Sequence, residues 1–195
     1  LYNLDVNQPA FADINGDGDL DILVYQISGN SVEYHENQSM EKYGIPDSLD
    51  YKEYTACWGK FSLVNGSNKA SLNNFCFPIA NNTNFRITDA NQNLHSGACM
   101  TVFDNGGDGD YDLINGDIAG NNLLYLDNDS AGIGHMNSQD SLYPFNNTPV
   151  NYVTFPTGYY FDADNDGAND LIVSSCLYNN AAENYNNNLF YKNTT

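Results

Sequence analysis

The feature that most constrains the fold is an acidic, glycine-rich motif that occurs three times and each time runs directly into an apolar stretch. The copies span residues 13–24 (DINGDGDLDILV), 104–114 (DNGGDGDYDLI) and 162–173 (DADNDGANDLIV). Positions in each copy are numbered from its first Asp. Repetition of one sequence device indicates a repeat architecture, in which each copy belongs to one of several equivalent structural units.

The first and third copies place oxygen-bearing side chains at alternate positions around a glycine. Positions one, three, five and nine are Asp13, Asn15, Asp17 and Asp21 in the first copy, and Asp162, Asp164, Asp166 and Asp170 in the third. Gly18 and Gly167 stand at position six and permit a sharp turn. Position seven, which is Asp19 or Ala168, offers its backbone carbonyl. Because calcium takes roughly 6–8 oxygen ligands, each copy predicts a calcium site.

The second copy departs from this pattern at position three. Asp104, Asp108 and Asp112 hold positions one, five and nine, Gly109 holds position six and Asp110 position seven. Position three is Gly106, which has no side chain to offer an oxygen. We therefore expect up to three calcium ions, with the second site weaker than the others or completed by a water.

The motif has two other interpretations. An acidic surface turn without metal needs only one or two such residues, whereas four close carboxylate or amide groups repel each other unless a cation lies among them. An EF-hand needs a bidentate Glu at position twelve and helices on both sides of the loop. Position twelve is Val24, Asn115 or Val173, and the flanking sequences are typical of strands, which excludes an EF-hand.

The pattern DxNGDGDxDL followed by a strand resembles the FG-GAP repeat, also called the VCBS-type repeat. This resemblance implies an all-β fold made of β-propeller blades, each with four antiparallel strands and a calcium loop between its first two strands. It covers most of the chain, through the three loops and the strands that follow them. The resemblance is specific for the blade and says little about function.

Strand signals recur around the loops and predict about three blades in a single segment, residues 1–195. The blade motifs lie near residues 9–37, 99–128 and 157–193, and two of their last strands end in Asn37 and Asn128. Residues 38–98 exceed the length that one blade needs. We interpret them as an insertion in one blade; the alternative is a further blade that has lost its calcium loop. Because propellers close with four to eight blades, the segment is expected to be part of a larger propeller.

Composition restricts the partners. The formal net charge is −19 and only six residues are Lys or Arg, so nucleic acids and anionic membrane surfaces are poor partners. No apolar run approaches the ~20 residues of a membrane span. The 15 Tyr and 10 Phe residues favour strands.

Four cysteines lack the CxxC spacing of a zinc site and predict two disulfides in an oxidising compartment. The favoured pairing is Cys57–Cys76 with Cys99–Cys176, although the sequence leaves three connectivities open. The alternative is that the cysteines are free buried thiols. Together with the calcium loops, the cysteines predict a secreted or cell-surface protein.

No catalytic constellation is found in the sequence, since His35, His95 and His135 are far apart and no nucleophile or phosphate-binding motif is present. The expected function is therefore a non-catalytic binding or scaffold module that contacts a protein or glycan ligand and neighbouring blades or domains. One alternative is a calcium-dependent lectin-like module that uses Trp58, Tyr159 and Tyr160. The other is an accessory domain of a larger secreted enzyme.

Modification motifs are also present. Asp-Ser followed by an apolar residue occurs at Ser48, Ser130 and Ser141 and resembles the O-glycosylation motif of secreted Bacteroidetes proteins. Asn-x-Ser/Thr occurs six times, which matters only in a eukaryotic secretory pathway. These sites, at Asn37, Asn65, Asn81, Asn128, Asn146 and Asn193, include chance matches in an Asn-rich chain.

Overall fold

A computed structural model describes residues 3, 7–27, 29–78, 85–87, 97–118, 120–152, 155–175 and 188–194. The fold is all-β: 46% of the chain is strand and 3% is helix, and the strands form four sheets, none of which closes on itself. The helix found in the described residues has five residues, far fewer than the ~20 that a bilayer requires.

The first sheet begins with four antiparallel strands in chain order. They are β1 (Ala10–Ala12), β2 (Asp21–Tyr25), β3 (Val32–Asn37) and β4 (Tyr51–Trp58), with the short helix α1 (Ser39–Tyr43) between β3 and β4. Val32 and Tyr34, which alternate on β3, are both buried, as their spacing predicts. Residues 38–98 therefore include the fourth strand of this sheet.

The remainder of residues 38–98 adds small elements beside β4. A two-stranded sheet pairs β5 (Ser62–Leu63) with β6 (Ala70–Ser71). β7 (Cys76–Pro78) and β8 (Phe85–Ile87) then extend the first sheet, because β8 pairs with β4 in parallel at Ala56 and Arg86. These additions are absent from the other two sheets in the described part of the chain.

The second and third sheets repeat the antiparallel order of the first. The second contains β9 (Ala98–Phe103), β10 (Asp112–Asp117), β11 (Leu123–Asn128) and β12 (Met136–Tyr143). The third contains β13 (Pro156–Phe161), β14 (Asp170–Ser175) and β15 (Asn188–Tyr191). Three strands of the third sheet thus lie within the described residues, where the resemblance implies four.

The second sheet packs between the first and the third. Leu113 on β10 belongs to a core shared with Leu23 and Tyr34 of the first sheet. Its neighbour Ile114 belongs to a second core, shared with Leu171 and Val173 of the third sheet. Adjacent strand residues point to opposite faces, so β10 is buried on both sides and carries no exposed residue.

The first strands of the three sheets lie side by side. The backbone N–H of Gln8, just before β1, donates to the carbonyl of Ala98 on β9 at 3.1 Å. The hydroxyl group of Thr101 on β9 donates to the carbonyl of Gly158 on β13 at 2.5 Å. Gly116 permits the approach of β13, since a Cβ at this position would lie 1.6 Å from the carbonyl oxygen of Pro156.

The cysteine prediction is confirmed for one pair. Cys57 at the end of β4 and Cys76 on β7 form a disulfide, with Cα atoms 6.2 Å apart and a sequence separation of 19. Cys99 is buried on β9. The predicted Cys99–Cys176 pair lies outside the described residues because Cys176 is not among them, and the same holds for His95.

Candidate calcium sites

All three acidic loops occupy the same place in their sheets. They join β1 to β2, β9 to β10 and β13 to β14, which in each case are the first and second strands of the sheet. We call them loop one (residues 13–20), loop two (104–111) and loop three (162–169). The glycines at position six, Gly18, Gly109 and Gly167, all have φ between 86° and 99°, the backbone conformation that glycine adopts at low cost.

The Asp at position one shapes each loop from within. Both oxygens of Asp13 accept backbone N–H groups, Oδ1 from Gly16 at 2.8 Å and Oδ2 from Gly18 at 3.0 Å. Asp104 and Asp162 repeat the Oδ2 bond with the glycine at position six, each at 3.0 Å. This carboxylate therefore folds the loop around itself in all three copies.

The Asp at position nine links each loop to the third strand of its sheet. Asp21 Oδ2 accepts the N–H of Ile14 at 2.9 Å, and its Oδ1 accepts the N–H of Asn37 at 2.8 Å. The same two bonds form at the other copies, where the acceptors are Asp112 and Asp170. Their donors are Asn105 and Asn128 at 3.1 and 2.8 Å, and Ala163 and Asn193 at 3.2 and 2.9 Å. All three carboxylates are buried, so each is committed to backbone N–H groups inside the sheet.

The side chains of Asn37 and Asn128 explain why Asn stands at the end of β3 and β11. The side chain of Asn37 donates to the carbonyl of Ser48, and that of Asn128 accepts the N–H of His135 at 2.7 Å, so each amide fixes the connection to the fourth strand. Both residues are buried. Their Asn-x-Ser/Thr motifs are therefore inaccessible in the folded chain.

Loop one brings three carboxylates together, and one of them comes from outside the motif. Ligand oxygens of Asp17, Asp19 and Glu41 all lie within 4.8 Å of one another. The sequence assigned Asp19 a backbone role, yet its side chain is only 2% exposed and turns into the cluster, where Oδ2 accepts the N–H of Met40 at 3.0 Å. Glu41 was missed because it lies on α1, far beyond the motif, and no spacing in the sequence marks it.

Loop three brings together the side chains that the sequence singled out at positions one, three and five. Ligand oxygens of Asp162, Asp164 and Asp166 lie within 4.8 Å of one another. The ammonium group of Lys192, which follows β15, contacts Asp164 and lies 3.1 Å from Asp166. These two carboxylates raise the pKa of Lys192. The ammonium group of Lys192 therefore supplies a positive charge at this loop.

Loop two is built differently from its neighbours. In the described part of the chain, no group of three carboxylates within ligand distance forms at loop two. A Cβ on Gly106 would stand 3.3 Å from the carboxylate of Asp108, which crowds position three. Asp110 is 8% exposed, and burial first, followed by the negative charge of Asp108, raises its pKa to about 6.

Burial and backbone donors act in opposite directions on the loop carboxylates. Burial raises the pKa of Asp21 to about 6, although the N–H of Asn37 opposes this shift. At Asp104 burial also acts to raise the pKa, but the N–H groups of Gly109, Gly107 and Asp108 together hold it below the ordinary value. At loop two, where burial raises the pKa of Asp112, the carboxylate at position one is therefore ionised more readily than the one at position nine.

The aromatic residues proposed for sugar binding do not lie together. Trp58 is fully buried in the first core, where its ring N–H donates to the carbonyl of Gly132 at 2.9 Å. Tyr160 packs against Phe103, with ring centroids 4.2 Å apart, and only Tyr159 is exposed. Trp58 is thus unavailable as a surface platform for a ligand.

The remaining sequence candidates are dispersed. His35 lies 3.2 Å from Glu33, and His135 lies 2.7 Å from Asp129 in another sheet. Of the three Asp-Ser motifs, Ser130 is exposed and Ser48 and Ser141 are half-buried. None of these residues belongs to the acidic clusters of loops one and three.

Comparison with known proteins adds no relative: no family model, no curated protein and no solved structure matches the chain.

Proposed function

We propose that the chain is a calcium-stabilised arc of β-propeller blades of the FG-GAP type that acts outside the cell as a non-catalytic binding or scaffold module. The observation that carries this proposal is the equivalence of the three loops. Each loop joins the first two strands of a sheet. In each loop the Asp carboxylates at positions one and nine accept the same backbone N–H hydrogen bonds. The Cys57–Cys76 disulfide fits an oxidising compartment.

The faces of the sheets also support a blade arrangement. Leu23, Ile114 and Ile172 stand two residues after the position-nine Asp in successive sheets. Leu23 is buried between the first and second sheets and Ile114 between the second and third, whereas Ile172 is only partly covered. Around Ile172 lie the exposed residues Tyr159, Phe161 and Phe190. We infer that a further sheet of the same kind, a neighbouring blade, covers this face.

Calcium would be held by the loops and would supply charge compensation. Asp17, Asp19 and Glu41 form one set of oxygens, and Asp162, Asp164 and Asp166 form another. Asp19 Oδ1 is buried and has no hydrogen-bond donor among the described residues, which fits a cation ligand better than an empty turn. An ion that binds only the folded chain stabilises it by mass action.

Calcium titration against a chelated sample tests the proposal. Calcium at 100 times the dissociation constant stabilises a folded protein by about 2.7 kcal/mol per site. For a chain of this size that corresponds to a rise in melting temperature of roughly 5–10 °C per site. Thermal unfolding followed by circular dichroism, with calorimetric titration of the chelated protein, measures both the shift and the number of ions.

The matched control is the Asp17→Asn, Asp166→Asn double variant, which keeps the size of both side chains and removes one ligand charge from each cluster. Its melting temperature should respond much less to calcium. An identical melting curve in chelator and in millimolar calcium, with no heat of binding, overturns the proposal.

A second candidate function, carbohydrate binding, is favoured by an open cleft of about 370 Å³ between the second and third sheets. Aromatic rings line it at Tyr143, Phe145, Tyr160 and Tyr191, beside the amide of Asn105. Flat rings next to amide groups suit a sugar, which stacks one face and hydrogen-bonds at its edges. This cleft replaces Trp58 as the place for a glycan.

A glycan array with wild-type protein and the Phe145→Ala variant tests this candidate. Phe145 is 56% exposed, so its removal leaves the core intact. A calcium-dependent signal that the variant loses supports glycan binding at the cleft. Absence of any signal for the wild-type protein excludes it.

A further inference from the structure

We propose that Glu41, on the helix after the third strand, is a ligand of the cation at loop one, together with the side chains of Asp17 and Asp19. This inference rests on the proposed calcium binding and extends it. The site would then be shared between the β1–β2 loop and the β3–β4 connection, so that the ion ties two separate segments of the first sheet.

The first argument is the position of the carboxylates. One oxygen from each of Asp17, Asp19 and Glu41 lies within 4.8 Å of the other two, a spacing that oxygens around a single calcium ion adopt. Three like charges so close repel each other strongly, and no Lys or Arg ion pair with any of them is found among the described residues. A divalent cation removes this repulsion.

The second argument is the buried carboxylate oxygen of Asp19. The residue is 2% exposed, and its Oδ1 has no hydrogen-bond donor in the described ranges, while Oδ2 accepts the N–H of Met40. A buried carboxylate oxygen that lacks a donor is costly unless a metal or a water satisfies it. Because Asp19 contributes a carboxylate oxygen to the cluster with Asp17 and Glu41, a cation bound there would satisfy this carboxylate.

The third argument is how α1 is held. The N–H of Met40, the residue before Glu41, is bonded to Asp19, so the helix is fixed against loop one independently of any ion. The side chain of Ser39 donates to the carbonyl of Ile45 at 2.6 Å, which also fixes the turn after the helix. Glu41 is exposed, and the backbone that carries it is already fixed by these hydrogen bonds. Little ordering is therefore needed for its side chain to bind an ion.

The ligand class follows from the donors. Three carboxylates, without His or Cys, are hard oxygen ligands that suit calcium rather than zinc or copper. In loop three the corresponding cluster uses positions one, three and five, and Ala168 stands where loop one has Asp19. Among the described residues, a carboxylate from outside the motif therefore joins the cluster of the first site and not that of loop three.

The test is calorimetric calcium titration of the chelated full chain in three forms: wild type, Glu41→Gln and Asp47→Asn. Glu41→Gln keeps the size of the side chain and should weaken one site about tenfold or more, because ligand charge sets calcium affinity. Asp47→Asn removes the same charge from the same connection at an exposed residue outside the cluster and should leave all sites unchanged.

Hydrogen exchange provides a second measurement that does not depend on resolving the sites by heat. Calcium should slow exchange in residues 39–50 of wild type and of Asp47→Asn, but not of Glu41→Gln. If wild type binds calcium and Glu41→Gln binds it equally with the same protection, this inference is wrong and the proposed function stands. If wild type binds no calcium, both fall.

Discussion

Loops one and three share a motif, but the residue before the Asn that donates its backbone N–H to position nine (Asn37 or Asn193) differs in charge. In the first sheet this residue is Glu36, which accepts a hydrogen bond from the side chain of Asn15 at position three. In the third sheet it is Lys192, which contacts Asp164, the position-three residue of that loop. A neutral amide faces a carboxylate in one sheet, and a carboxylate faces an ammonium group in the other.

The difference shows that one motif can leave two loops in different electrostatic states. Among the described residues, no Lys or Arg forms an ion pair with Asp19 or Glu41 at loop one, whereas Lys192 forms ion pairs with two carboxylates at loop three. The need for an added cation is therefore greater at loop one. Although the sequence ranks these two sites as equal, we now expect loop one to bind calcium more tightly than loop three.

The largest expected effect concerns the buried Asp at position nine. Asp21 accepts a third bond, from the hydroxyl group of Tyr34 at 3.0 Å, whereas the equivalent of Tyr34 in the third sheet is Phe190, which has no hydroxyl group. Hydrogen bonds to charged groups contribute about 1.5–3 kcal/mol to stability. We therefore expect Asp21→Ala to lower the free energy of unfolding by about 4 kcal/mol and Asp170→Ala to lower it by about 3 kcal/mol. Urea unfolding in chelator, which removes any contribution of bound ions, measures both.

The ordering of these two variants is the informative result. A larger loss for Asp170→Ala would contradict the role of the Tyr34 hydroxyl group. Tyr34→Phe in the wild-type background isolates that bond and should lower the free energy of unfolding by about 1–2 kcal/mol. The loss of stability caused by Asp170→Ala should be the same with or without Tyr34→Phe.

The disulfide gives the next largest effect, and it should also separate the two regions. Replacing Cys57 and Cys76 by Ser opens a closed loop of 19 positions and should cost about 3 kcal/mol by the chain-entropy estimate. Hydrogen exchange should increase in residues 51–78 more than in 156–175, because the bridge fixes the additions to the first sheet. Uniform acceleration across both ranges would mean that the sheets unfold as one unit.

The smallest predicted effect concerns Lys192. Lys192→Gln removes the ammonium group from Asp164 and Asp166 and should raise the calcium affinity of loop three by about three- to tenfold, since the competing cation is gone. Calcium titration measures the change, and Lys69→Gln, at an exposed turn between β5 and β6, is the control. Unchanged affinity in Lys192→Gln would show that the lysine swings away when calcium binds.

Much of the local structure follows from the sequence. The 13–24 motif predicts a turn followed by a strand, and the observed strand β2 begins at Asp21, as expected. The apolar LLYLDN segment forms β11 (Leu123–Asn128), which ends at Asn128 as the sequence predicts. These predictions succeed because glycine at position six, alternating acidic groups and apolar runs of β-formers act over a few residues.

Other expectations failed or changed because they depend on distant residues. Trp58 is an exposed ligand platform in the sequence hypothesis and a buried core residue in the fold, because β4 places it over the second sheet. Glu41 and Lys192 border the loops, although neither belongs to the motif. The backbone donors to Asp21 likewise come from two separate segments, Ile14 in loop one and Asn37 at the end of β3.

The amino-acid sequence by itself determined the three acidic turns, the strands beside them and the all-β class, because turn chemistry and hydrophobic alternation are local properties. Only the tertiary structure decided which charges surround each turn. The stacking of the sheets and the course of the β3–β4 connection bring Glu41 to loop one, and the end of β15 brings Lys192 to loop three. Electrostatic energy depends on distance in space, which the spacing of residues along the chain does not specify.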